Sequence, residues 1–388
     1  MSEKKSLGIY VHIPFCKQKC RYCDFLSFPI TNEETKEAYV DALIRNIQEQ
    51  AEVCADRYIV DTIYIGGGTP SLLSFEQLQR ICYAIGNSFQ IDPDYEWTLE
   101  VNPNSAGDDI KMMMLRKSGI NRLSIGAQST CESRLQMLGR VHSVQDIFLT
   151  YEAACKAEFT NINVDLMYGI FGQTVEEFAK SLEDILYIAP QHLSAYQLII
   201  EEGTPFYDLY HSGQAQLPSE EAIAQMEEIL FSWTQLAGMH RYEISNFAMP
   251  GYESRHNLRY WRMQDYLAIG LGASGFFFGD PTGIRSENTK NLKEYLEHPT
   301  AGTITQVPIH NEMEEFCFLG LRMLEEGIDC ENFRNMFGRR IETVYPPAMF
   351  ERFIQQGLME KKYAPREAYV LTPRGAEVSN RIMAEFIK

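Results

Sequence analysis

His12-Ile13-Pro14-Phe15-Cys16-Lys17-Gln18-Lys19-Cys20-Arg21-Tyr22-Cys23-Asp24-Phe25 sets three cysteines on one short loop directly after the apolar run Gly8–Ile13. Soft thiolates suit either zinc or an iron–sulfur cluster. A structural zinc site takes four ligands, often as two CxxC pairs. No second pair occurs in the chain, which leaves His12 as a candidate fourth ligand. A [4Fe–4S] cluster held by Cys16, Cys20 and Cys23 instead keeps one iron open for a small molecule. The chain carries nine cysteines, an odd count with three crowded into this loop. In a reducing compartment that favours metal binding over disulfides.

Past the loop, short β-rich runs alternate with amphipathic helical stretches. Strands are expected at Gly8–Ile13, Thr62–Ile65, Trp97–Val101, Arg122–Ile125, Ile162–Leu166 and His192–Ile199. Helices are expected between them at Glu33–Val53, Phe75–Ile85, Ile110–Lys117, Glu132–Met137, Val144–Ala157 and Val175–Ile188, the first opened by a cap at Thr31 or Asn32. Repeated β-then-α units imply an α/β fold with a parallel sheet, either doubly wound or barrel-like. In both, ligands gather at the carboxyl ends of the strands. The cysteines, the Gly66-Gly67-Gly68 run, Glu100 and Gln128 all fall at such ends.

Three regions are expected. Residues 1–240 form the β/α core. Residues 241–310, rich in aromatics and glycine, connect it to the last part. Residues 311–388 read as helices followed by a hairpin at Leu358–Leu371, a small winged-helix-like domain. Gly270-Leu271-Gly272-Ala273-Ser274-Gly275 spells GxGxxG, but Phe276-Phe277-Phe278 is a poor helix start, so a dinucleotide fingerprint is not expected there.

Acidic residues outnumber basic ones 53 to 35. Such a chain repels phosphate backbones, so no nucleic-acid partner is expected. No apolar stretch approaches the ~18 residues of a spanning helix. With a polar start at Met1–Ser6 and no signal-peptide pattern, the expected location is the cytoplasm.

CxxxCxxC with an aromatic before the last cysteine resembles the radical S-adenosylmethionine (SAM) superfamily. The resemblance implies that the open iron holds the amino and carboxylate groups of SAM's methionine end. An electron from the cluster then cleaves SAM to a 5′-deoxyadenosyl radical. It further implies SAM-binding roles for Tyr10 and Phe25, for Gly67, Gly68 and Thr69 after the second strand, and for Glu100, Gln128, Arg140 and Asp165. Singly, each is an ordinary polar residue; together they offer groups for a ribose, an amine and a carboxylate. These positions, and Tyr10 beside the cluster, are similar to those of the oxygen-independent coproporphyrinogen III oxidases and their relatives. That branch builds an open, partial (β/α)6 barrel, and the resemblance covers nearly the whole chain.

The oxidases place a fourth cysteine two residues after the third, where this chain has Phe25. They also carry a longer N-terminal extension, whereas fifteen residues precede Cys16. His256-Asn257-Leu258-Arg259-Tyr260-Trp261 resembles instead the HNxxYW pattern of HemW-type heme chaperones. The resemblance implies heme as cargo, with His256, Asn257, Tyr260 and Trp261 as candidate heme-binding residues and Arg255 and Arg259 near its propionates. Acceptor heme proteins such as respiratory enzymes are the expected partners, and membrane contact is expected only through them. A monomer or dimer is expected. The alternatives are coproporphyrinogen III oxidation and radical methyl transfer.

Overall fold

The computed structural model describes residues 4–29, 32–105, 107–279 and 282–387. Its core is a row of six parallel strands: β1 (Lys5–Ile13), β2 (Tyr58–Gly67), β3 (Ile91–Val101), β4 (Arg122–Gln128), β5 (Ile162–Tyr168) and β6 (His192–Gln197). Crossovers run through α1 (Glu33–Cys54), α2 (Phe75–Ser88), α3 (Asp109–Lys117), α4 (Glu132–Leu138), α5 (Val144–Lys156) and α6 (Val175–Tyr187). The strands lie in sequence order without reversal. Because β-α-β crossovers are right-handed, an unreversed order puts every helix on the same face. The other face is therefore concave, and the doubly wound alternative is set aside for a barrel. The row does not close on itself: among the described residues β1 and β6 do not pair with each other.

Local chemistry explains these elements. Along β1, Leu7–Ile9 and Val11–Ile13 are buried, the near-continuous burial expected of a strand covered on both faces. The crossover helices open on side-chain caps. Asn32 accepts from Glu34 N at 2.8 Å, while the candidate Thr31 lies outside the described residues. Ser74–Gln77, Ser143–Asp146 and Thr174–Glu177 form reciprocal capping boxes. On α6, Phe178, Leu182 and Ile185 line one buried face against the sheet. Burying each contributes about 2 kcal/mol.

The chain continues through α7 (Pro205–His211), α8 (Glu220–Leu236), β7 (His240–Arg241), β8 (Asn246–Ala248) and α9 (Arg255–Trp261). Then come β9 (Tyr266–Ile269), β10 (Ser274–Phe277), β11 (Ile284–Asn288), α10 (Leu292–Glu297) and β12 (Gly302–Gln306). The strands of segment 241–310 join the main sheet at both flanks. β8 pairs antiparallel with β6, and β9 pairs parallel with β1. The GxGxxG run joins β9 to β10 and opens no helix. Gly270 there has φ +108°, and a Cβ on it would sit 2.6 Å from the His12 carbonyl oxygen.

The last part holds α11 (Ile309–Arg322), β13 (Ile328–Asp329), α12 (Cys330–Phe337), α13 (Ile341–Val344) and α14 (Pro347–Gln355). It ends with β14 (Met359–Lys362), β15 (Ala368–Leu371) and two short helices. Its three-stranded antiparallel sheet runs β13-β15-β14, so the expected hairpin is present. Its own core includes Phe316, Phe333 and Phe350, and Met263 and Phe276 from the preceding segment complete it. No helix among the described residues is long and apolar enough to cross a membrane.

Candidate functional site

The carboxyl ends of β1–β6 surround a cavity of about 510 Å³. Cys16, Cys20 and Cys23 line one wall. The loop carrying them is closed at its base: Cys16 N donates to Phe28 O at 2.9 Å, and Phe28 N to Pro14 O at 2.7 Å. It docks on the end of α4 through Arg21 N to Leu138 O at 3.0 Å. The Thr69 hydroxyl reaches the Cys16 sulfur at 3.7 Å, and Arg140 Nη1 reaches the Cys20 sulfur at 3.5 Å. Burial pushes the Cys16 thiol up and the Cys23 thiol to about 11, and the neighbouring cysteines add to it. A metal that displaces those protons is bound by thiolate, so three converging sulfurs beside an arginine fit an anionic iron–sulfur cluster. Such a cluster supplies one-electron chemistry at an open iron.

Gly67, Gly68, Thr69, Glu100, Gln128, Arg140 and Asp165 line the same cavity, and Phe25 lies at its lip, two-thirds exposed. Gly67 N donates to Glu100 Oε2 at 3.0 Å and the Tyr64 hydroxyl to Oε1 at 2.8 Å. Burial first, then Asp165, raise the Glu100 carboxyl to about 7 against those two donors. Burial likewise raises Asp165, which accepts from Asn163 Nδ2 at 2.7 Å. Gln128 has φ +67°, set where the β4–β5 register shifts, a conformation that side chains rarely adopt. Tyr10 stands behind the wall, its hydroxyl 2.9 Å from His12 Nδ1.

Several wall residues escaped the sequence reading: Tyr64, Arg122, Ser124, Asn163, Ser194 and Tyr196. A signal for them exists. Arg122, Ser124, Gly126 and Gln128 alternate along β4, and Asn163, Asp165 and Met167 along β5, the period-two face of a strand turned inward. Arg122 Nε, Arg140 Nε and Asn102 Oδ1 are buried without a hydrogen-bond partner. A polar ligand in the cavity that bonds to such atoms removes a cost of about 1–3 kcal/mol each. The Glu100 and Asp165 carboxylates, the Arg122 and Arg140 guanidiniums, amides and hydroxyls around three thiols match a ligand with an amine, a carboxylate and a ribose.

The HNxxYW residues do not converge on this cavity as a group; only Asn257 lines it. His256 is fully buried. Its Nδ1 lies 3.0 Å from Thr62 Oγ1 and its Nε2 2.7 Å from the Tyr260 hydroxyl, and its ring stacks on Tyr64 at 5.3 Å. Ligation of a metal by His256 requires breaking one of these bonds and opening the packing around it. Arg259 is buried and ion-paired with Asp61, and Arg255 pairs with Asp94 at 3.4 Å. Trp261 packs under the Arg322 guanidinium at 4.2 Å.

Comparison with known proteins agrees with this geometry. The profile of the Radical SAM superfamily matches residues 10–185, and that of the HemN C-terminal domain residues 308–376. The heme chaperone HemW of Lactococcus lactis is 36% identical over 387 residues, covering 99% of this chain and 98% of that protein. The heme chaperone HemW of Bacillus subtilis is 36% identical, covering 97% and 98%. Among solved structures, coproporphyrinogen III oxidase (HemN) from Escherichia coli, a radical SAM enzyme, superposes with a TM-score of 0.84. It is 22% identical, with 99% of this chain and 90% of that one covered, a likeness of fold.

Proposed function

The chain belongs to the HemW family within the radical SAM superfamily, and from that premise we propose that it is a heme chaperone. It binds heme and passes it to acceptor heme proteins such as respiratory enzymes, in the cytoplasm. The observation that carries the reading is the likeness to proteins named heme chaperone HemW along nearly the full length of both chains. Phe25 at the cavity lip, where the oxidases place a fourth cysteine, supports it.

In this reading Cys16, Cys20 and Cys23 hold a [4Fe–4S] cluster. Glu100, Gln128, Arg140, Asp165 and the Gly67–Thr69 turn hold SAM, with Phe25 at its border and Tyr10 behind the wall. The Glu100 and Asp165 carboxylates would offer acceptors to its cationic groups, and Arg140, in contact with the Cys20 sulfur, would supply positive charge beside the cluster. Of the candidate heme residues, His256 anchors α9 to β2 through Thr62, Tyr260 bonds to His256, and Asn257 and Trp261 present side chains to cavities.

The test is to load the anaerobic protein with iron and sulfide, add SAM, and titrate with heme. A stoichiometric heme spectrum is expected, with heme recovered unaltered. Absence of heme binding, together with conversion of coproporphyrinogen III to protoporphyrinogen, would replace this reading by the oxidase one.

A further inference from the structure

The cysteine cavity runs down the barrel from the strand ends toward the strand starts. On the seven-residue strand β4, Gln128 at the end and Arg122 at the start both line it, about 20 Å apart. Helix α9 closes the lower end. Arg255 N and His256 N donate to the Glu96 carboxylate at 3.1 and 3.0 Å, and the His256 ring meets Thr62. Thr62 and Glu96 face each other in the sheet, nearer the strand starts than the Thr98–Arg122 pair. Arg122 therefore stands on the floor of the cavity, just above the helix.

Its surroundings leave it unsatisfied. Arg122 is 2% exposed, yet it lines the cavity. Nε is buried without a partner, and no hydrogen bond or ion pair reaches the guanidinium from any described residue. The acids of the barrel interior are engaged with other donors. Asp165 accepts from Asn163 Nδ2 at 2.7 Å, Glu100 from the Tyr64 hydroxyl and Gly67 N, and Glu96 from α9. Asn257 of α9 lines the cavity as well, and no described residue bonds to its side-chain amide.

A guanidinium does not lose its proton in a protein, so a buried one without a contacting counter-charge is unfavourable. Compensation at a distance is the plainer account. Burial raises the Asp165 carboxyl, and the charges of Arg122 and Arg140 are among the influences that pull it back. That attraction leaves the buried Nε–H without an acceptor, and an unmade hydrogen bond to a charged group is costly. An acceptor brought in by a ligand removes both defects together.

We propose that the floor of the cysteine cavity is an anion subsite, in which the planar fork of Arg122 binds a ligand carboxylate and the Asn257 amide is a second donor. The proposal deepens the reading of this cavity given above and rests on it. That reading supplies two sources of carboxylate, the methionine end of SAM and the propionates of heme. A ligand lacking the carboxylate leaves the guanidinium buried and unpaired, so the subsite selects against neutral analogues.

The test uses the full-length, cluster-loaded protein under anaerobic conditions. Four probes are titrated: SAM, decarboxylated SAM, heme and heme dimethyl ester. Arg122→Met, which keeps the length of the side chain without its charge, is compared with the unaltered chain. The variant is expected to bind SAM, heme or both at least about tenfold more weakly, with the decarboxylated or esterified analogue of the affected ligand unchanged. The pair that responds identifies the source of the carboxylate. Without ligand, Arg122→Met is expected to melt no lower than the unaltered chain, because the arginine makes no bond within the protein; an arginine with a merely structural role would lower the Tm when removed. Equal weakening of a ligand and its analogue, no weakening of any probe, or a lower unliganded Tm overturns the subsite. Heme that fails to bind the unaltered chain overturns the chaperone reading and leaves the SAM pair to decide the subsite.

Discussion

Arg140 and Cys20 are in direct contact: the guanidinium Nη1 lies 3.5 Å from the sulfur, while Nη2 donates to the Gly126 carbonyl at 2.8 Å. The arginine is thereby fixed between the end of β4 and the cysteine loop. A positive charge and a hydrogen bond at a cluster ligand stabilise the more negative, reduced state. Arg140→Gln is expected to lower the cluster midpoint potential by on the order of 50 mV, about 1 kcal/mol for a one-electron couple. A redox titration followed by electron paramagnetic resonance measures it. An unchanged potential would remove Arg140 from the cluster's surroundings.

Gly67 is held at φ +113°, and a Cβ there would lie 2.5 Å from the His12 ring. That ring cannot yield easily, because Nε2 is bonded to Leu26 O at 2.8 Å and Nδ1 to Tyr10. Gly67→Ala should therefore push on the cysteine loop itself. Backbone strain of about 1–3 kcal/mol should appear as a lower Tm, together with reduced iron content after reconstitution. Normal iron content with normal SAM affinity would contradict this.

Glu100 carries the pH dependence of the site. Its carboxyl has an ordinary value of 4.5 and sits at about 7 in the fold. The folded protein thus holds this proton more tightly than the unfolded chain. The associated stability is fully present below pH 4.5 and is lost as pH rises through about 7, in all about 3 kcal/mol. Glu100→Gln should flatten that slope. A cationic ligand favours the carboxylate, so SAM affinity should rise between about pH 5.5 and 7.5 in the unaltered chain and rise less in Glu100→Gln, where Asp165 still titrates. Isothermal titration at several pH values distinguishes the two.

His256→Ala should act on stability before chemistry. It empties a fully buried site, leaves the Tyr260 hydroxyl without its partner, and leaves Thr62 Oγ1 with Arg259 Nε alone. A loss of about 2–4 kcal/mol follows. Denaturant melts measure it, and His256→Gln should recover part of the loss through its amide. A heme spectrum that changes in His256→Gln while stability does not would assign the imidazole to the iron instead.

The cysteine loop and its strand were legible because both are local: three thiols, an apolar run and a turn lie within about twenty residues of sequence. Most of the five crossovers between the six strands were legible too, since period and caps announce them. β2 and β3 begin earlier than their apolar runs, at Tyr58 and Ile91, where a register shift near Val60 absorbs the extra residues. The partner of β1 was hidden because β9 is four residues long and lies more than 250 positions away. Helix α7, capped by Thr204 with Pro205 in its first turn, is too short to show a period. At the site, residue type pointed to the cofactor shell, but not to the orientation of His256. Motif spacing records which side chains occur, whereas the surroundings of His256 on α9 come in part from Thr62 and Tyr64 on β2, far away in sequence.

Carriage of heme is read out by its transfer. The cluster-loaded protein is charged with heme, freed of excess, and mixed anaerobically with an apo-acceptor heme protein. Heme absorbance should move to the acceptor and restore its activity, with no porphyrin altered and no decarboxylated product. Heme that never binds, or a protein that turns coproporphyrinogen III into protoporphyrinogen while transferring nothing, would contradict the account.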